Sequence, residues 1–97
     1  MLIPKYEYYA NSSRGNTDLK AIKIITDTVN IWYSYNTVIA FQEKGKDVIC
    51  IENLWKKTTG IHLFYIQYDK TKRLPVEQFE KEFFKVFNEE WKNNYYG

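Results

Sequence analysis

The sequence predicts an α+β domain: a small antiparallel sheet of three to four strands, a short helix, and a long C-terminal amphipathic helix packed on one face. Three observations carry this expectation. Short β-branched and aromatic runs lie between residues 19 and 52 and are separated by turn residues. Two of these runs flank a polar stretch containing Gly45, which is a hairpin signal. Beyond Pro75, the residues Val76, Phe79, Phe83, Val86 and Phe87 recur at helical spacing.

In chain order, "MLIPKYEYYA" fits an edge strand that begins after Pro4. "NSSRGNTD" (11–18) reads as a polar loop and is expected to be the most mobile internal stretch. "LKAIKIITD" (19–27) carries a helical spacing and a strand alternation, and its β-branching favours the strand. Asp27-Thr28 then suits a tight turn. "TVNIWYSYN" (28–36) alternates, with Val29, Ile31, Tyr33 and Tyr35 on one face and Asn30, Trp32, Ser34 and Asn36 on the other. "TVIAFQ" (37–42) and "DVICIE" (47–52) form the hairpin about "EKGK".

Thr58 and Thr59 are N-cap candidates for a short helix over 61–69, a segment whose composition would also suit a strand. "KTKR" is a charged loop. Pro75 stands at a favoured first helical position, with Glu77 in the turn where the helix dipole favours an acid. Trp91 continues the apolar stripe, and "NNYYG" is expected to fray.

Ninety-seven residues suit one domain, 1–97. Aromatics make up 19% of the chain, so rings are expected to build the core that a small domain needs. A single cysteine, Cys50, excludes an internal disulfide and suits a reducing compartment; its apolar setting suggests a buried structural thiol. No stretch reaches the length of a membrane span, and the N-terminus lacks a signal-peptide core. A cytoplasmic protein with no membrane partner is expected.

The net charge of +2 is too small to argue for nucleic acid by itself, but its distribution is uneven. Residues 53–73 carry Lys56, Lys57, Lys70, Lys72 and Arg73 against Asp69 alone. Trp55, Phe64, Tyr65 and Tyr68 lie among them. Cations interleaved with rings suit phosphates and stacked bases; a solvated face over buried rings is the plainer alternative.

His62 is the only histidine, so no metal site can be assembled from it and Cys50 at ligand spacing. Ser34, His62 and an acid such as Asp47 or Glu52 have the chemistry of a triad, but no nucleophile elbow surrounds Ser34. There is no P-loop and no dinucleotide fingerprint. Neither an enzyme nor a cofactor is expected. Ser34, Tyr35, Thr37, Thr58, Thr59 and His62 are instead expected to meet as a polar cluster that ties the sheet to a helix start.

At Ser34-Tyr35-Asn36-Thr37, Ala40, Thr58-Thr59 and His62 the chain resembles a group of small uncharacterised phage, archaeal-virus and mobile-element proteins. Their pattern runs Ser-Tyr-x-Thr-x-x-Ala, a short hairpin, an aromatic residue or Ser, then Thr-Thr-x-x-His. The likeness covers about residues 30–66. The chain departs from it at Trp55, where a Tyr-Ser pair is more usual, and in its acidic C-terminal helix. No established activity accompanies the resemblance. It implies a viral or mobile-element origin, action in the host cytoplasm, and one of two roles. The first is non-enzymatic nucleic-acid binding through Lys56, Lys57, Lys70, Lys72 and Arg73, with Trp55 and Tyr65. The alternative is a protein-interaction module that inhibits or redirects a host defence complex. A homodimer is left open.

Overall fold

Short runs rich in β-branched and aromatic residues, broken by turns, fold the first half of the chain back on itself four times. The computed structural model describes residues 5–12, 14–54 and 57–91, with side chains through Phe87. β1 (Lys5–Tyr8), β2 (Ala21–Ile25), β3 (Val29–Ser34), β4 (Thr37–Glu43) and β5 (Ile49–Cys50) form one antiparallel sheet in that spatial order. The sheet is a meander, so each strand pairs with its neighbour in sequence.

Each reversal has a local cause. Between β2 and β3 the Thr26 hydroxyl donates to the Val29 carbonyl at 2.8 Å and accepts from the Val29 N–H at 3.1 Å. Between β4 and β5, Gly45 takes φ +83° and Lys46 N–H closes on the Glu43 carbonyl. The β3–β4 reversal is different. It uses only Tyr35 and Asn36, and Tyr35 adopts φ +57° with no glycine to ease it. The expected strand over 28–36 therefore stops at Ser34.

The sheet has five strands where three to four were expected. β1 lies where the edge strand after Pro4 was expected and pairs with β2 over four residues; counting it with the other four runs brings the sheet to five. All four of its side chains are exposed, and Glu7 meets Lys23 across the pair at 3.7 Å. The 11–18 stretch is hydrogen-bonded rather than an open loop. Asn11 bridges Thr17, Gly15 N–H reaches the Ser12 carbonyl, and Asp18 N–H reaches the Ala10 carbonyl.

Two helices follow, α1 (Lys57–Ile66) and α2 (Val76–Trp91), joined through a 3-10 turn at Lys70–Lys72. The 3-10 turn stands where a loop was expected. Asp69 starts it by accepting from the Thr71 N–H and hydroxyl, and these hydrogen bonds hold the Asp69 carboxyl below its ordinary value. Arg73 ends α1: its Nε and Nη2 donate to the Gln67 carbonyl at 3.1 and 2.8 Å. Pro75 sits just before α2, its carbonyl accepting from Phe79 N–H, so it caps the helix rather than opening it. The Trp91 side chain and residues 92–97 lie outside the described residues.

Register parity places the helices. Phe41 pairs with Ile31, while Ser34 stands three residues further along β3 and so faces the other way. Phe41 meets Phe79, Phe83 and Phe87 of α2 at 5.6–5.8 Å between ring centres. Ser34 meets Thr59 and His62 of α1. The two helices thus lie against opposite faces. An irregularity in β4 leaves Ile39 without a partner in β3, between the Val38 and Ala40 pairs; Ile39, Ala40 and Phe41 are all fully buried. Cys50 is buried beside them, and burial pushes its thiol up to about 11, which makes it a packing group.

Phe41 is the ring on which the α2 side of the core converges. Phe41→Ala should cost about 3–5 kcal/mol in urea unfolding. Phe84→Ala, at an exposed helix position, should stay within about 0.5 kcal/mol. Equal losses would mean that the helix face is assigned wrongly.

Candidate functional site

The α1 side of the sheet holds a continuous chain of buried polar atoms. Thr59 Oγ1 lies 3.0 Å from Ser34 Oγ, Ser34 Oγ lies 2.7 Å from His62 Nδ1, and His62 Nε2 lies 2.7 Å from Asp18 Oδ2. His62 is fully buried, and Ser34, Thr59 and Asp18 nearly so. Asp18 Oδ1 accepts in turn from Lys20 N–H at 3.0 Å. Three segments place these groups: the β1–β2 connection, the end of β3 and the first turns of α1.

One assignment of the shared hydrogens gives each of them an acceptor along the chain. Thr59 donates to Ser34, Ser34 to His62 Nδ1, and His62 Nε2–H to Asp18. Burial alone would raise the Asp18 carboxyl, but the His62 hydrogen bond, the Lys20 N–H and the charges nearby outweigh it and hold the group below its ordinary value. Rings enclose His62. Tyr9 stands edge-on at 6.0 Å with its hydroxyl donating to the Tyr33 carbonyl, and the Tyr35 ring lies at 6.3 Å beneath Lys20 Nζ.

Ser, His and Asp in contact are the parts of an acyl-transfer triad. Their setting is that of a closed network. The Tyr35 N–H, which would be the natural oxyanion donor beside Ser34, is bound to the Lys20 carbonyl at 2.9 Å. The Ser34 oxygen is held from two sides. A cavity of about 210 Å³ does border Ser34, together with Tyr35, Thr37, Ile39 and Thr59. Thr58 faces a second cavity, of about 440 Å³, on the Asp18 side.

The polar residues expected to meet do so in part. Ser34, Thr59 and His62 are bonded, Tyr35 packs beside His62, and Thr37 and Thr58 line the flanking cavities. Thr58 and Thr59 are not the helix cap that was expected: α1 begins at Lys57, so both lie in its first turn, and Thr59 spends its hydroxyl on Ser34. The acid is neither Asp47, which is exposed, nor Glu52, which lines a different cleft, but Asp18. Its place in a polar loop 44 residues before His62 gave no sign of burial.

The cation and ring segment forms a separate feature. Lys57, Lys70 and Arg73 line one cleft of about 660 Å³ with Phe64, Gly60, Ile61, Asn53 and Glu52. Phe64 and Tyr68 are largely exposed and touch edge to face at 6.5 Å. Lys72 and Tyr65 are exposed but do not line the cleft. Trp55 and Lys56 lie outside the described residues. Among the described residues no His, Cys, Asp and Glu gather into a metal-binding group, and no helix is long and apolar enough to cross a membrane.

Ser34→Ala would strand His62 Nδ1 and the Thr59 hydroxyl in the interior, and should cost about 1–3 kcal/mol. Asp18 gives a pH signature. Its folded value is depressed, so it stabilises the fold above the ordinary carboxylate value of 3.8. That contribution is lost as pH falls through the lower folded value. Asp18→Asn should therefore be less stable than the parent at neutral pH, and the gap should close in acid. A gap that is constant from neutral pH to pH ~2 would remove Asp18 from the network's energetics.

No curated protein and no solved structure matches the chain. The model of a family of unknown function (DUF8033) matches residues 5–83, and the chain belongs to that family.

Proposed function

We propose that the protein binds nucleic acid through the cleft between α1 and the 3-10 turn, and that the Asp18–His62–Ser34–Thr59 chain is the structural seat of α1. The observation that supports this most is the convergence of Lys57, Lys70 and Arg73 on one cleft that also presents an exposed aromatic ring, Phe64. Side chains separated by up to 16 positions meet there, so the basic character of the segment becomes a local field. Such a field attracts phosphate and displaces its counterions. The viral or mobile-element setting and non-enzymatic action belong to the same proposal.

A second reading, a protein-interaction module acting on a host complex, is favoured by β1. Its outer edge has no paired strand among the described residues, and Tyr6 and Tyr8 are exposed on it.

A fluorescence titration with mixed-sequence DNA and RNA across salt concentrations tests the first reading. Affinity should fall steeply with salt, and Lys57→Gln with Lys70→Gln should reduce the slope by about two phosphate contacts. Both lysines are exposed, so the fold should be little affected. The absence of binding at low salt would sink the nucleic-acid reading and leave the β1 edge as the better lead.

A further inference from the structure

We infer that the occupant of the cleft is a single-stranded nucleic acid, with an unpaired base on the Phe64–Tyr68 rings and its flanking phosphates at Lys57 and Lys70. The inference rests on the nucleic-acid reading and adds the form of the ligand. It starts from what the rings lack. Phe64 is 64% exposed and Tyr68 is 74% exposed, although the fold buries most of its other phenylalanines. They touch each other, and Phe64 forms part of the cleft wall. A duplex stacks its bases on one another and offers phosphates and base edges to a protein. Exposed rings beside cations therefore gain little from a duplex. An unpaired base has an open π face, which a ring can cover.

The remaining lining fits the same ligand. Gly60 adds no side chain to the wall, and a Cβ there would meet Asn53 Nδ2 at 2.9 Å. Glu52 repels phosphate, so the phosphates are confined to the Lys57 and Lys70 side, while its oxygens can accept from a base amino group. Arg73 is held by the Gln67 carbonyl, which fixes a positive charge at the cleft without relying on the ligand.

The test uses the full chain, a labelled single-stranded oligonucleotide and the duplex of the same sequence, with anisotropy read at several salt concentrations. The single strand should bind about tenfold or more tightly than the duplex. Phe64→Leu keeps an apolar side chain but removes the π face. It should weaken single-strand binding about fivefold or more and leave the salt slope unchanged, because no charge is lost. Lys70→Gln should instead lower the slope. Circular dichroism would confirm that both exposed-site variants are folded. Equal or tighter duplex binding, or a Phe64→Leu variant with parental affinity, overturns the single-strand inference alone. Absence of binding by either form overturns the nucleic-acid reading together with it.

Discussion

One buried imidazole decides where α1 sits. His62 reaches back to Asp18 in the first hairpin and across to Ser34 at the end of β3, so a single ring ties α1 to two segments of the sheet. A network of this kind is demanding, since each unpaired member would cost the full penalty of a stranded polar group. When every member is paired, it admits one placement of the helix and penalises shifted ones. The cleft inherits that placement. Lys57, Gly60, Ile61 and Phe64 all lie within one or two turns of His62, and their outward positions follow from the inward one.

The two faces of the sheet are held by different physics. Against α2 the contact is made by rings: Phe41 beneath Phe79, Phe83 and Phe87, with Phe83 and Phe87 stacked at 4.4 Å. Such packing is strong and tolerant of small adjustments. Against α1 it includes directional polar contacts, which tolerate little. Between them lies the Tyr35–Asn36 turn. A non-glycine residue at positive φ costs on the order of 1–2 kcal/mol. The contacts of the Tyr35 ring with His62 and Lys20 offset some of that strain and explain why an aromatic stands where glycine would be easier.

Legibility in the sequence followed the range of the interaction. The "EKGK" hairpin, the turn before Val29 and the stripe from Val76 to Phe87 are encoded by neighbours, and glycine, threonine and periodic phenylalanines announce them. The Tyr35–Asn36 turn was hidden because the positive φ falls on Tyr35 and not on Asn36, the residue type that tolerates it. β1 was legible as an edge strand that opens after Pro4, and the structure starts it at Lys5. The polar cluster was visible as Ser34, Thr59 and His62, residue types that seldom lie buried without a reason. Asp18 was not, since an aspartate in a polar loop looks solvated until the fold closes over it. The start of α1 at Lys57 was obscured by reading Thr58 and Thr59 as caps, when one of their hydroxyls is used across the sheet.

The parallel bridge between Ile51 and Leu74 has a further consequence. Leu74 N–H binds the Cys50 carbonyl, and its own carbonyl takes the Glu52 N–H, each at 2.8 Å, so the chain seals the outer side of β5 just before entering α2. The opposite margin, at β1, has no such seal among the described residues. A sheet with one sealed and one open margin has a polarity. Two copies meeting by strand addition at their open margins would use both, and each would present only a sealed side to a third. Growth along the sheet would then end at a pair instead of running on as a fibre.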